Sequence, residues 1–246
     1  MKISIVTVCL NSASTLGDTI DSVTAQDYRQ VEHIIKDGKS TDATESIARA
    51  KKWHGLRYVS QEDTGIYDAM NQGLSLATGE IVGFLNADDF FAERTVVSRI
   101  ARLFEQSGSD IVYGDVDMVD PRETSRITRK WRSGRYKQGI FMKGWQPPHP
   151  AFYVRRRILL EVGGFDTQYS IAADYALMLN LVELKRCRTE YDPFVWVKMR
   201  DGGRSNRSMK NIMIGNLECR RAMISFGMDP PLAFPLNKLW RKVRQK

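Results

Sequence analysis

A chain of 246 residues with 42% hydrophobic and 27% charged residues has the make-up of an ordinary globular protein, one large domain or two small ones. No apolar run approaches the ~18 residues that a bilayer span needs, and MKISIVTVCLNSAST lacks the pattern of a secretory leader. Cys9, Cys187 and Cys219 are too scattered for a disulfide framework or a cysteine zinc site, so a cytoplasmic location is expected.

The net charge of +8 hides an asymmetry. Residues 1–120 carry 11 Lys+Arg against 19 Asp+Glu, a net of −8; residues 121–246 carry 26 against 10, a net of +16. An acidic half suits a cation or the polar edges of a small ligand, and a basic half suits phosphates, an anionic membrane or nucleic acid. Solvated charged faces remain the plain alternative.

In chain order, ISIVTVCL (3–10), VEHII (31–35), RYVS (57–60) and IVGFL (81–85) read as strands. Between them come helical patterns: Leu16, Ile20 and Val23 after a T-x-x-D start at Thr15 and Asp18; a segment opened by Asp42 and Glu45; and Ile66, Met70, Gly73 and Ala77, with Gly79 as the stop. Strand–helix alternation predicts an α/β fold with a mostly parallel, Rossmann-like sheet flanked by helices. Farther on, residues 110–120 form another strand-like run, and the basic stretch 122–137 reads as a hairpin or loop. Trp145–Pro150 is irregular because of its three prolines, a short helix starts near Val154, and residues 173–184 have helical spacing. FVWVKM (194–199) is a late strand, and a long helix covers roughly 208–226.

Ligands of open parallel sheets sit beyond the carboxyl ends of the strands. There the chain places Asn11-Ser12, Lys36-Asp37-Gly38, Gln61-Glu62-Asp63 and Asn86-Ala87-Asp88-Asp89. With no phosphate-cradling G-x-x-x-x-G-K-[ST] and no G-x-G-x-x-G, this acidic edge suits a diphosphate only if a divalent cation, Mn²⁺ or Mg²⁺, mediates. On the pair alone, Asp88 and Asp89 serve equally well as helix caps.

The blocks MKISIVTVCLNSASTLGDTIDSVTAQDY, DGKSTDAT, SQEDTGIYDAMNQGLSLATGEIVGFLNADD, HPAFYVRRRILLEVGGFD, AADYALMLNL and RDGGRSN, in this order over residues 1–205, resemble family 2 glycosyltransferases. GIYDAMN is most similar to transferases of bacterial exopolysaccharide, O-antigen or colanic-acid type. The resemblance implies a GT-A fold in 1–205, with a nucleotide-binding half (1–120) and an acceptor-binding half (121–205), followed by a basic helical extension (206–246). It implies inverting transfer of a sugar from a UDP- or GDP-linked donor to a glycan or a polyprenyl-diphosphate-linked acceptor, in cell-surface polysaccharide biosynthesis. By the same resemblance, Thr7, Asn11, Asp37 and Asp63 contact the nucleotide, Asp88 the ribose or the metal, and Asp89 the metal. Asp174 matches the catalytic base, and Arg200, Arg204 and Ser205 lie near the diphosphate. Ala43 and Ala173 depart from the glycine and glutamate usual in that family.

His149 and Trp145 are candidates for the acceptor side, though each is as readily structural. Leu232, Phe234, Leu236, Leu239, Trp240 and Val243 interleave with lysines and arginines, which suits either contact with the inner face of an anionic membrane through 230–246 or packing on the domain. A sugar-1-phosphate nucleotidyltransferase would need a Gly-rich basic loop after the first strand, which LNSASTLGD lacks. A nucleic-acid binder fits the basic half but not the acidic edge, so no nucleic-acid partner is expected.

Overall fold

A computed structural model describes residues 1–202, 208–231 and 233–243. Four parallel strands come first: β1 (Ile3–Cys9), β2 (Val31–Asp37), β3 (Leu56–Ser60) and β4 (Ile81–Phe84). They are linked by α1 (Leu16–Thr24), α2 (Thr44–Ala50) and α3 (Ile66–Leu76). β1 is buried along its whole length, and its neighbours β2 and β4 nearly so, which is why these strands read as continuous apolar runs rather than alternating ones.

The second half is mixed rather than parallel. After β5 (Phe90–Phe91) and α4 (Val96–Ser107) come β6 (Ile111–Val119), β7 (Ile127–Trp131) and β8 (Phe152–Arg155). Then follow α5 (Arg156–Glu161), α6 (Ala173–Leu179), β9 (Thr189–Arg200), α7 (Met209–Ser225) and α8 (Phe234–Val243). The strand order is β3-β2-β1-β4-β8-β6-β9-β5, with β7 on β6. β8 runs antiparallel to both β4 and β6, β7 forms a hairpin with β6, and β9 lies parallel to β6. The basic stretch 122–137 is therefore the hairpin of its two expected forms. The helix expected from Val154 begins at Arg156, because Phe152–Arg155 fill the gap in the sheet between β4 and β6.

Two helix-start signals are used differently from their sequence reading. Thr15 occupies the cap position of α1 without a side-chain cap, and Asp18 turns instead to Arg200. Asp42 accepts hydrogen bonds from the amides of Thr44 and Ala13, whereas Glu45 pairs with Arg49. Gly79 is not the stop of α3, which ends in extended backbone at Ala77. Its N–H donates to Ser4 Oγ at 2.8 Å, and a Cβ there would lie 2.6 Å from that oxygen.

The C-terminal helices share the core of the rest of the chain. Cys219, Ala222 and Met223 of α7 and Phe234 of α8 are fully buried in one apolar cluster with Tyr175, Phe141 and Trp145. The segment expected as an extension over 206–246 packs into the same core as the rest of the chain through these residues.

Candidate active site

The register of the parallel strands lines up the site. Cys9 at the end of β1 pairs with Asp37 at the end of β2, and Asp37 pairs with Ser60 at the end of β3. The Asp37 carboxylate is 1% exposed. Burial alone would push it upward, but hydrogen bonds from the Ser40 hydroxyl and amide and the Ser60 hydroxyl outweigh it and hold it below the usual carboxylate range. Cys9 Sγ lies 3.7 Å from Asp37 Oδ1.

Thr7, expected at the nucleotide, lies two residues deeper on the same strand face. It is fully buried, with Oγ1 2.9 Å from His33 Nε2. A side chain so enclosed supports the strand from below, and Cys9, two residues on, stands beside Asp37. A period of two assigns the face of a strand but not how far along it the pocket begins.

Asn11 has a left-handed backbone (φ 52°), and its Oδ1 accepts from the Thr41 amide at 2.9 Å, tying the loop after β1 to the loop after β2. Asp63 is joined to the pocket through Lys36, whose buried ammonium donates to Asp63 Oδ2 and to the carbonyl of Gln61, each at 2.8 Å. Gly38 lies between them, where a Cβ would come 2.7 Å from Asp63 Oδ2. Asp37, Asp63, Lys36 and the loop carrying Asn11 are thus brought together.

Asp88 and Asp89 sit at different depths. Asp89 is 1% exposed and already engaged: Asn86 Nδ2 donates to Oδ2 at 2.7 Å, and the Arg200 amide to Oδ1 at 3.3 Å. Burial first, and the Asp88 charge second, push its carboxyl well above the ordinary range. Asp88 is half-buried, and burial raises it too, with Arg200 partly countering. No side chain among the described residues donates to the Asp88 carboxylate. Arg200, at the end of β9, binds the turn from outside: Nη1 donates to the Asp88 carbonyl at 2.7 Å, Nη2 pairs with Asp18, and the guanidinium lies over the Phe90 ring. Arg204 and Ser205 lie outside the described residues.

Asp174 is on the first turn of α6, reached by the Tyr67 hydroxyl at 3.3 Å. His149 stacks on Phe84 at the end of β4 and meets Phe165 edge-on; its Nε2 is buried without a hydrogen-bond partner among the described residues. Burial lowers this imidazole, and the charge of Asp174 opposes the shift. Trp145 is no platform for a sugar: it is 5% exposed, donates Nε1–H to the Ser133 carbonyl and packs against Phe141 and Tyr113, so it anchors the proline-rich loop.

The acidic pocket at the carboxyl ends of β1, β2 and β4, with a separate acid on α6, belongs to a fold shared with sugar transferases that use nucleotide-sugars. TarS of S. aureus in complex with UDP-GlcNAc superposes with a TM-score of 0.70 at 16% identity, over 98% of this chain and 72% of that one. The mannosyltransferase PcManGT from Pyrobaculum calidifontis, in complex with GDP-Man and Mn²⁺, gives 0.64 at 18% identity over 98% and 69%. These likenesses establish the GT-A fold. The profile of Glycosyl transferase family 2 matches residues 4–162. A "PGL/p-HBAD biosynthesis glycosyltransferase" of Mycobacterium tuberculosis is 30% identical over 244 residues, 98% of this chain and 91% of the relative. The chain belongs to glycosyl transferase family 2 and is a glycosyltransferase.

His33 beneath the pocket gives the fold a defined acid sensitivity. Burial lowers its imidazole from 6.5 to about 3, so below pH 6.5 the unfolded chain takes up a proton that the folded chain refuses. Stability from this residue is full above pH 6.5 and falls with pH towards 3, by about 1.4 kcal/mol per pH unit. In urea unfolding, the change in stability from pH 7 to pH 5 is expected to be about 2 kcal/mol less unfavourable in His33→Gln than in the wild type; an equal change in both contradicts this account.

Proposed function

We propose that the protein transfers a sugar from a UDP- or GDP-linked donor to a hydroxyl of a glycan or lipid-linked acceptor, in a single inverting displacement aided by a divalent cation, in cell-surface polysaccharide biosynthesis. The observation that carries this reading is the pairing of one buried carboxylate dressed for a base edge, Asp37, with a second acidic centre, Asp88–Asp89, whose adjacent carboxyls burial raises despite Arg200 beside them.

Asp37 and Cys9 face the nucleotide base; Asp37 accepts from a base N–H while Ser40 and Ser60 hold its orientation. Mn²⁺ or Mg²⁺ binds one or two carboxylates and fills its other positions with phosphate oxygens and water, a donor set that the Asp88 carboxylate fits. Asp88 and Asp89 would hold the cation, Asp88 with its free carboxylate and Asp89, engaged by Asn86 and Arg200, by orienting the turn and adding its charge. When bound, the cation neutralises the charge gathering on the departing diphosphate. Support comes from the folds cited above, one holding UDP-GlcNAc and one GDP-Man with Mn²⁺.

Asp174 takes the proton of the acceptor hydroxyl on the face opposite the leaving group, as a single displacement requires. His149, with its charge coupled to Asp174, lines the acceptor side.

A thermal-shift screen of UDP, GDP, UDP-glucose, UDP-N-acetylglucosamine and GDP-mannose, with and without Mn²⁺, tests the reading. Stabilisation by one nucleotide series, deepened by Mn²⁺ and abolished as to metal by Asp88→Asn, is the expected outcome; indifference to all five contradicts it. Asp174→Asn should keep donor binding and lower turnover at least ~100-fold; turnover near wild type would assign the base elsewhere.

The acceptor's location bears on the C-terminal helices. Met209, Met213, Leu217 and Ile224 are exposed along α7, as are Leu236 and Trp240 on α8, in a segment where 200–246 carries 11 Lys+Arg against 3 Asp+Glu. Exposed apolar side chains interleaved with cations suit the surface of an anionic membrane. No helix of the described residues is long and apolar enough to cross one. Because Phe234 is a core residue, substitution is a cleaner test than truncation. The full chain is expected to float with phosphatidylglycerol vesicles at low salt and to be released by high salt, and Leu236→Glu with Met213→Glu to weaken flotation. Flotation unaffected by the double substitution would rule out this face.

A further inference from the structure

Asp174 sits two residues beyond a stretch with no regular structure of its own, 165–172. Three successive amides in it point at one carboxylate on a distant helix. Glu218 of α7 accepts from Ser170 N at 2.9 Å, Ile171 N at 2.8 Å and Ala172 N at 2.9 Å, and from the Ser170 hydroxyl at 2.8 Å. Hydrogen bonds to an ionised acceptor are roughly twice as strong as neutral ones, so this is the firmest tie on the loop. Among the described residues Glu218 has no cationic partner, and its charge is directed to these donors.

The rest of α7 clasps the same stretch. Gly215 lies so close that a Cβ there would come 3.2 Å from Ile171 Cγ2. Arg221 reaches Gln168 Oε1 at 3.3 Å and lies over the Tyr169 ring, and the Tyr169 hydroxyl is 3.4 Å from Ser225 Oγ. From the opposite side Tyr67 of α3 donates to the Ile171 carbonyl at 2.6 Å, the same hydroxyl that reaches Asp174. The loop is thus gripped through its N–H groups by α7 and through a carbonyl by α3.

We propose that Glu218 is a positioning residue: from the C-terminal helix it fixes the loop that sets where the Asp174 carboxylate stands relative to the acceptor hydroxyl. This rests on the assignment of Asp174 as the base. Misplacing a reacting group by about 1 Å can cost ~100-fold in rate while leaving substrate binding intact. None of these bonds involves Asp37, Cys9, Asp88 or Asp89, so donor binding and the loop can be read out separately.

Glu218→Gln, Glu218→Ala and Gly215→Ala are compared with Asp174→Asn, using whichever of UDP-glucose, UDP-N-acetylglucosamine and GDP-mannose turns over. UDP and GDP affinity is measured by calorimetry and amide exchange across 170–174 by mass spectrometry. The expected result is a fall in kcat of ~10-fold for Glu218→Gln and more for Glu218→Ala, with donor KM and nucleotide affinity unchanged and exchange at Ile171 and Ala172 faster. Gly215→Ala, which crowds the loop without touching Glu218, should give the same split of kcat from KM, and covers the case in which Glu218→Ala fails to fold. Wild-type kcat in Glu218→Gln and Gly215→Ala, with Asp174→Asn inactive, overturns the role of Glu218 and leaves the base assigned. A parallel loss of nucleotide affinity and kcat also overturns it, as general damage. Full turnover in Asp174→Asn removes the premise instead.

Discussion

One guanidinium holds the acidic turn in place. Arg200 ends β9, at the far side of the sheet from β1, yet its guanidinium and amide reach back to the first 90 residues: Asp18 of α1, the Asp88 carbonyl, the Asp89 carboxylate through the amide, and the Phe90 ring. The chain returns to its acidic half to supply the positive charge and the N–H that two adjacent buried acids require. β5 makes this possible, since Phe90 and Phe91 pair with Lys198 and Val197 and bring the turn after β4 against the end of β9. Even so, burial leaves both carboxyls raised, because one arginine with its charge shared by Asp18 does not offset two desolvated acids. That residual demand for positive charge is the physical basis for placing a cation here.

The pocket divides its acids by how they are satisfied. Asp37 is buried and lowered because donors on neighbouring strand ends surround it; Asp63 is held by a buried lysine. Asp88 presents a half-buried carboxylate without a side-chain donor among the described residues. Asp174 comes from a different element, a helix whose preceding loop is held by α7. In the proposed reaction, holding a diphosphate and taking a proton fall to side chains on different elements, with different supports.

Much of this was legible in the sequence where local pattern and burial agree. The four apolar runs became β1–β4 within a residue or two, and the helix expected over 208–226 is α7, Met209–Ser225. Asp37, Asp63, Asp88 and Asp89 did gather at the strand ends, because carboxyl ends of parallel strands share one edge. What was not legible depended on partners distant in sequence. β5 is two residues long and exists because β9 lies beside it; β8 is a strand because β4 and β6 leave a gap for it. The depth of Thr7 below Cys9 and the different depths of Asp88 and Asp89 follow from where the sheet edge falls, which periodicity does not encode. Asp18 reads as a helix-start residue and acts as the partner of Arg200, 182 positions away. Glu218 gave no signal at all: a glutamate on an amphipathic helix looks like surface until the loop it caps is seen.

The central claim is that Asp88, not Asp89, meets the cation that accompanies the diphosphate. Crystals grown with Mn²⁺ and the nucleoside diphosphate that stabilises the protein, recorded at the manganese absorption edge, test it most directly. The account predicts an anomalous peak in contact with the Asp88 carboxylate and the diphosphate, with the base against Asp37 and Cys9 and Asp89 still bonded to Asn86. A manganese peak on Asp89 with Asp88 turned away, or a nucleotide bound without metal at this turn, would contradict it.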